Sequence, residues 1–172
     1  MNKKIRTVLF VLILLGFGTL VYGIFTIKNQ KEALAQKLQS IPHFTLPTVT
    51  GNVVSEKTLL GKKSILIYYA INCSFCEAEA TQIGKNLDKL QSYNIVMISE
   101  NEEAEVRKFR EDYNLYGSHI FLVKDVDKTF YNTYGIKGTP TIFLYDELGQ
   151  FIYKFNGSVH IDKILEHLTA TI

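Results

Sequence analysis

The apolar positions of the chain form one long run near the N-terminus and several short runs further on. Short continuous apolar runs are typical of strands that are buried on both faces of a sheet. The sequence predicts three such strands, at residues 64–70, 95–98 and 119–123. Residues 141–145 form a fourth strand, and residues 150–155 alternate apolar and polar side chains as an antiparallel edge strand does.

Between and after these strands, apolar residues recur at helical spacing. One helix is predicted from residue 73 to about residue 91, and a second after Ser99, which stands at capping-box spacing from Glu102. A third helix covers about residues 125–134, and Ser158 is the predicted cap of a last one. Strands that alternate with helices and end in a hairpin and a helix predict an α/β fold, a mixed β-sheet flanked by helices.

Two signals mark where this domain begins. Pro42 disfavours helix at the residue before it, so a helix that arrives from the N-terminus should end near Ile41. Strand-like stretches on either side of Gly51-Asn52 predict a β-hairpin. The sequence therefore predicts a hairpin extension in front of the main sheet.

The long apolar run, residues 7–27, carries no charged residue. As a helix it would extend about 32 Å, close to the thickness of a bilayer core. A cleaved signal peptide would have a shorter run and a better cleavage site than Val21-Tyr22-Gly23. We expect an uncleaved transmembrane anchor, and cleavage after Gly23 is the alternative.

Charge decides the orientation and excludes one class of partner. Positive residues before the run place the N-terminus in the cytoplasm and the domain outside it. A net charge of +2 is too small to indicate nucleic-acid binding. The predicted layout is a basic cytoplasmic segment (1–6), a transmembrane helix (7–27), a helical stalk (28–41) and a domain (42–172).

The chain has only two cysteines, Cys73 and Cys76. A disulfide between them closes almost no loop, so it would stabilise the fold little. A cysteine at a helix N-terminus has a lowered pKa, because unpaired N–H groups and the helix dipole favour its thiolate. A second cysteine one turn further can attack a mixed disulfide formed by the first. The spacing predicts that Cys73 is the nucleophile and Cys76 the resolving thiol.

Two alternative roles of the cysteine pair remain open. Half of a zinc site is one, although zinc takes four ligands and only scattered histidines could complete the set. These are His43, His119, His160 and His167. A purely structural pair is the other, but structural cysteines do not need this spacing. We expect no metal and no other cofactor.

Residues 69–76, YAINCSFC, are followed about 60 positions later by residues 135–141, GIKGTPT. Together these motifs resemble the thioredoxin superfamily over residues 42–168. The anchor, the hairpin and an additional strand–helix unit between the motifs look like its TlpA/ResA-type membrane-anchored branch. The resemblance implies a thioredoxin-like fold and thiol–disulfide oxidoreductase activity.

The resemblance also assigns roles to three further residues. It implies a cis peptide bond between Thr139 and Pro140 beside the cysteines, where the Thr139 backbone could pair with a substrate strand. Without the cysteines, Pro140 would be explained as the start of an edge strand. In ResA-like proteins a glutamate at the position of Glu79 tunes the cysteine pKa values and relays protons. Alternatively, Glu77 and Glu79 are acidic residues near a helix start, favoured by the dipole.

The chain departs from the family at the cysteine motif itself. Asn72 stands where the family usually has tryptophan, and Ser74-Phe75 replaces the more common pairs between the cysteines. Phe75 could be an exposed contact for substrates, together with Asn72. Ile67 occupies the position at which thioredoxins bury an acidic residue.

The leading hypothesis is thiol–disulfide exchange on protein substrates outside the cytoplasm, as a reductant and for example in cytochrome c maturation. The family resemblance implies a membrane electron donor of the DsbD type and a location in the bacterial inner membrane. A peroxiredoxin-like peroxide reductase is one alternative, but Ala70 stands where that chemistry needs threonine. A copper chaperone is another, but copper-delivery proteins use Cys-x-x-x-Cys. A non-catalytic binding module would be expected to lose a cysteine or Pro140.

Overall fold

The computed structural model describes residues 3–170, with side chains from Phe10 onward except that of Val11. The chain divides after Lys37 into two compact units. Residues 1–2 of the predicted basic segment and residues 171–172 of the predicted domain lie outside the described residues.

The first unit is one long helix, α1 (Lys3–Lys37). Its part from Leu12 to Lys37 contains an 18-residue window of mean hydropathy 1.5, none of it buried. This length and composition suffice to cross a membrane, so α1 is a candidate transmembrane span.

The second unit begins at Leu38. Leu38 and Ile41, which were predicted to belong to the stalk, are buried in it. The Ile41 N–H donates to the carbonyl of Gly149 (2.8 Å), so this segment is fastened to the body of the domain. The compact unit therefore starts four residues before the predicted boundary at Pro42, because apolar side chains of the linker pack into its core.

The predicted hairpin consists of β1 (Thr45–Pro47) and β2 (Val53–Ser55), which pair antiparallel. Gly51 in the turn has φ +87°, a left-handed conformation that glycine adopts without steric cost. Next to the turn, the Val49 N–H donates to the carbonyl of Leu122 (3.0 Å), which places the hairpin along one edge of the main sheet.

The main sheet has five strands in the order β5-β4-β3-β6-β7. In this sheet β3, β4 and β5 are parallel, whereas β6 and β7 are antiparallel to their neighbours. The bounds are β3 (Ser64–Tyr68), β4 (Asn94–Ser99), β5 (Ile120–Lys124), β6 (Thr141–Tyr145) and β7 (Phe151–Asn156). All five lie within two residues of their predicted positions, and the mixed sheet is confirmed.

Six helices connect and cover the strands. They are α2 (Glu56–Leu59), α3 (Ser74–Lys85), α4 (Leu87–Leu90), α5 (Glu103–Asp112), α6 (Thr129–Tyr134), which follows a 3-10 turn at Val126–Lys128, and α7 (Ile161–Thr169). The sheet is thus flanked by helices, as predicted.

Three helix details differ from the prediction. The single helix expected over residues 73–91 is two helices, because Asn86 leaves helical geometry (φ −122°, ψ 24°). Ser99 ends β4 and does not cap α5. Instead, α5 starts after Glu102, and the Glu102 N–H donates to the carboxylate of Glu105 (3.1 Å). Ser158 does not cap α7 either, because α7 starts after His160.

Alternate side chains of β3 point to opposite faces of the sheet, and both faces are buried. Ile65 and Ile67 belong to a cluster that also contains side chains of α3, α5 and α7. On the other face, Tyr68 stacks on Phe130 of α6 with ring centroids 6.1 Å apart. This double burial fixes the end of β3, from which the chain enters the cysteine motif.

Candidate redox site

The chain passes from β3 to α3 through a short loop that is held from the neighbouring strand. The Tyr69 N–H donates to the carbonyl of Ile98 (2.9 Å), and the Ile71 N–H donates to Oδ1 of Asn101 (3.1 Å). The Ser99 hydroxyl donates to the same Asn101 oxygen (2.9 Å). The backbone just before the cysteines is therefore positioned by hydrogen bonds from the end of β4.

Asn72 turns this loop into the helix with φ +63°. Asparagine tolerates this left-handed conformation better than most residues do, and a bulky side chain tolerates it poorly. The departure from the family's usual tryptophan thus has a local reason in the backbone. The Asn72 side chain is exposed beside Cys73.

Cys73 caps α3, and its Sγ accepts the N–H of Cys76 (3.3 Å). Burial alone would raise the pKa of Cys73. Hydrogen bonds from Cys76, from the Thr139 hydroxyl and from backbone N–H groups outweigh burial and lower it. Cys73 is half-buried and a free thiol. Of the two cysteines, Cys73 is therefore the one whose environment favours the thiolate.

Cys76 has the opposite environment. Its side chain is 1% exposed, and burial together with the neighbouring Cys73 raises its pKa to about 12. A thiol with this pKa stays protonated at neutral pH, so Cys76 reacts only after its proton has been removed.

The second motif reaches the first across the sheet. The peptide bond between Thr139 and Pro140 is cis, as the resemblance implied. The Thr139 hydroxyl donates to Sγ of Cys73 (3.6 Å), and the Cys73 thiol donates to the Thr139 carbonyl (3.7 Å). Pro140 is buried below a groove of about 310 Å³, which Thr139 and Gly138 also line. Two segments that lie 66 positions apart in sequence thus form one site.

Glu79 lies one turn further into α3 than Cys76 and is fully buried. Its Oε2 accepts hydrogen bonds from the Ser158 hydroxyl (3.0 Å) and from the Val159 N–H (2.9 Å). Its Oε1 has no hydrogen-bond partner among the described residues. Burial raises the pKa of Glu79, although both hydrogen bonds and the charge of His160 partly oppose it.

These contacts separate Glu79 from Glu77. Glu77 lies in the first turn of α3, where the helix dipole favours a carboxylate. Glu79 lies beyond that turn and is bound by the loop before α7. The helix dipole therefore accounts for Glu77 and does not account for Glu79.

The remaining predicted residues divide between surface and core. The Phe75 side chain is 65% exposed in the first turn of α3, directly between the cysteines. Ile67 is buried in the apolar cluster, so this position of β3, where thioredoxins bury an acidic residue, is apolar in this chain. Among the described side chains, no group of three His, Cys, Asp or Glu residues could hold a metal ion. Within this part of the chain, the fold does not bring together a set of ligands for zinc or for copper.

Three contributions to the site were not predicted from the sequence: Asn101, the Thr139 hydroxyl and Ser158. Each of these residues lies at least 30 positions in sequence from the site residue that it contacts. Ser158 was instead assigned to a helix cap, since serine before an amphipathic helix usually has that role.

Comparisons with known proteins agree with this geometry. The AhpC/TSA family matches residues 38–154. The thiol-disulfide oxidoreductase ResA of Bacillus thuringiensis subsp. konkukian is 27% identical over 172 residues, which cover 97% of this chain and 95% of ResA. The putative peroxiredoxin bcp of Coxiella burnetii is 32% identical over 126 residues, 64% of this chain and 82% of that protein.

A solved structure has the same fold. A secreted disulfide oxidoreductase of Mycobacterium tuberculosis, homologous to E. coli DsbE, superimposes with a TM-score of 0.66 at 22% identity. The match covers 78% of this chain and 98% of that one. The chain therefore belongs to the AhpC/TSA family, within the thioredoxin superfamily, and is a thiol–disulfide oxidoreductase of the ResA type.

Proposed function

We propose that the chain exchanges disulfides with protein substrates outside the cytoplasm, with Cys73 as the nucleophile and Cys76 as the resolving thiol. One observation carries the proposal: the two cysteines have opposite environments. Cys73 is accessible with a lowered pKa, whereas Cys76 is buried with its pKa raised to about 12. A thiolate attacks a disulfide, and a protected thiol one turn away resolves the adduct.

In the reducing direction the Cys73 thiolate attacks one sulfur of the substrate disulfide. The substrate S–S bond breaks, and its other sulfur leaves as a thiolate. Cys76 then loses its proton and attacks Cys73, which releases the first substrate sulfur and leaves a Cys73–Cys76 disulfide. Two electrons pass from the enzyme to the substrate, and a membrane donor of the DsbD type would return them.

Glu79 is proposed to take part in the second step. Cys76 must release a proton in a buried place, and Glu79 lies three residues further along the same helix with a raised pKa. A carboxylate with a raised pKa is a better proton acceptor than an ordinary glutamate. Its Oε1, which accepts no hydrogen bond from the described residues, and its full burial support this role.

The substrate is proposed to lie across the groove at Pro140. The Thr139 backbone would pair with an extended segment of the substrate, as in strand addition. Phe75 and Asn72 are exposed next to Cys73 and would contact the residues on either side of the substrate cysteine. An exposed phenylalanine between the cysteines supports docking of a protein better than reaction with a small disulfide alone.

The place of action is proposed from α1. Residues 7–27 would cross the bacterial inner membrane once, with residues 1–6 in the cytoplasm, residues 28–41 as a stalk and the redox domain outside. The candidate span in α1 and the similarity to ResA support this layout. An extracytoplasmic reductant of this kind could act on apocytochrome c, whose haem-binding cysteines must be reduced before attachment.

Trapping tests the exchange directly. In full-length Cys76→Ser, Cys73 should remain in mixed disulfides with substrate proteins, and these should be visible on non-reducing gels. Cys73→Ser is the matched control and should give none. If neither variant forms adducts and the wild type does not exchange with glutathione, the proposed function fails.

Peroxide reduction is the second candidate, and the similarity to bcp favours it. Ala70 stands three residues before Cys73, where peroxiredoxins place a threonine to orient the peroxide. We therefore expect peroxide consumption by the reduced protein to be no faster than by a free thiol. Rapid consumption that Cys73→Ser abolishes would replace disulfide exchange with peroxide reduction as the main activity.

A further inference from the structure

Two lysines place positive charge at the groove beside Pro140. Lys137 lines the groove and is exposed. Lys154 lies nearby on β7 and is half-buried. Among the residues with described side chains, neither lysine forms an ion pair, whereas many other lysines of the domain do. These two lysines are therefore available to an external anion.

Lys154 is directed by the strands beneath it. It pairs with Phe143 across β6 and β7, and its Nζ lies 4.9 Å from the centroid of the Phe143 ring. Asn156, two residues further along β7 and so on the same face, lines the groove. Partial burial lowers the pKa of Lys154, and the charge of Lys137 lowers it further. The charge of Lys154 therefore interacts with that of Lys137, which lines the groove.

The groove has fixed walls. The Thr141 hydroxyl donates to the carbonyl of Gly138 (2.6 Å), and the Gly157 N–H donates to the carbonyl of Pro140 (2.8 Å). At its inner end Thr139 contacts Cys73. A substrate side chain bound in this groove would consequently belong to a residue close to the cysteine under attack.

The other side of Cys73 has the opposite charge. A pocket of about 280 Å³ next to Asn72 is lined by Glu77, Glu105 and Asp112. Lys108 also lines it and is paired with Asp112 (2.9 Å), so these two charges offset each other and Glu77 and Glu105 leave the pocket negative. A carboxylate near the substrate cysteine is thus attracted on the Pro140 side and repelled on the Asn72 side.

We propose that Lys137 and Lys154 form a cationic subsite, which binds an acidic side chain of the protein substrate next to its reactive cysteine. The inference rests on the proposed function and names the substrate class: cysteines that are flanked by Asp or Glu on one side. Charge complementarity of this kind raises the rate of encounter and fixes the orientation of the bound segment.

Matched peptides test the subsite. Each peptide has one cysteine in a mixed disulfide with 2-mercaptoethanol and a single Glu or Lys placed before or after it, with Gln elsewhere. Single-turnover reduction by the full-length, reduced protein in detergent is followed at low ionic strength. In one of the two placements the wild type should reduce the Glu peptide about fivefold faster than the Lys peptide, as expected for a partly exposed ion pair.

Two charge changes make the test specific. Lys137→Glu should invert the ratio of the Glu and Lys rates, and Lys154→Met should bring it towards one. Lys163→Glu is the control, since Lys163 is exposed on α7 and its reversal changes the net charge as much as Lys137→Glu does. A wild-type ratio of one in both placements, or an equal effect of Lys163→Glu, would overturn the subsite. If the wild type fails to reduce any of these peptides, the proposed function fails and the subsite with it.

Discussion

The first turns of α3 have two sides that differ more than any sequence pattern indicates. The outer side consists of Asn72, Cys73 and Phe75, which solvent reaches, and the Thr139 hydroxyl beside them. The inner side consists of Cys76 and Glu79, both buried and both with raised pKa values. Two cysteines three positions apart therefore have opposite environments and pKa values shifted in opposite directions.

This difference underlies the proposed division between an attacking and a resolving thiol one helix turn apart. On the outer side, hydrogen bonds favour the charged form of Cys73. On the inner side, burial disfavours the charged forms of Cys76 and Glu79. In the proposed mechanism, Cys73 can attack as a thiolate at once, whereas Cys76 must first lose its proton.

The largest effect is expected when the outer thiol is removed. Cys73→Ser leaves only Cys76, which is buried, and burial is the main cause of its raised pKa and disfavours its thiolate. The single-turnover rate with glutathione disulfide should fall on the order of a thousandfold or more. In Cys76→Ser, the rate of the first step, attack by Cys73, should stay within a few-fold of the wild-type rate. Only the second step, in which the adduct is released, should be lost. Equal losses in both variants would show that the two thiols are not divided in this way.

The next effect concerns the inner side. Glu79→Ala leaves the Ser158 hydroxyl and the Val159 N–H without their acceptor, and should reduce the free energy of unfolding by about 1–3 kcal/mol. Glu79→Gln keeps an acceptor oxygen and is the matched control. Denaturant unfolding of both variants at neutral pH checks this, and an Ala variant as stable as Gln would contradict the structural role.

The same residue predicts a pH dependence of stability. The raised pKa of Glu79 means that the folded state keeps a proton which the unfolded state releases from about pH 4 upward. Stability of the wild type should therefore fall relative to Glu79→Gln as the pH rises from about 4 and level off above the folded pKa. Urea unfolding of both proteins across this range measures it. A constant difference would show that Glu79 titrates normally.

A smaller effect is expected at the hydroxyl of Thr139. Thr139→Val removes its hydrogen bond to Sγ of Cys73, which lowers the pKa of Cys73, and should therefore raise that pKa. Thr139→Ser keeps the hydroxyl and should keep the pKa. The thiolate absorbance during pH titration distinguishes the two, and equal titration of both variants would show that the Thr139 hydroxyl does not set the pKa of Cys73.

The smallest effect on stability belongs to Phe75. Because its ring is 65% exposed, Phe75→Ser should change the free energy of unfolding by no more than about 0.5 kcal/mol. Reduction of protein disulfides should slow several-fold more than reduction of glutathione disulfide. Leu148→Ser, an exposed residue in the turn between β6 and β7, is the control. A loss that is equal for both substrates would contradict docking at Phe75.

Except for the Thr139 hydroxyl, the residues of the outer side could be predicted from the sequence because their signals are local. The spacing of Cys73 and Cys76 after a buried strand placed both at a helix start, and the second motif indicated Pro140. The strands were predicted well for the same reason, since short apolar runs are continuous in sequence.

Cys76 and Glu79 of the inner side were named from the sequence, but their contacts could not be predicted, because these contacts join distant segments. Glu79 is fixed by Ser158 and Val159 from the loop before α7, and no periodicity relates these positions. The predicted helix over residues 73–91 was too long for a comparable reason. Gly84 packs so closely on Tyr113 that an added Cβ would lie 2.1 Å from its carbonyl oxygen. Such tertiary contacts decide where α3 lies and ends.

The division between the two thiols is tested most directly by alkylation of the reduced protein with iodoacetamide across pH. Mass spectrometry of the peptides gives the rate at each cysteine separately. We predict that Cys73 reacts first, with a midpoint below the ordinary cysteine pKa of about 8.5, and that Cys76 stays unmodified through the neutral range. Parallel modification of both cysteines near their ordinary pKa, or earlier modification of Cys76, would contradict this division.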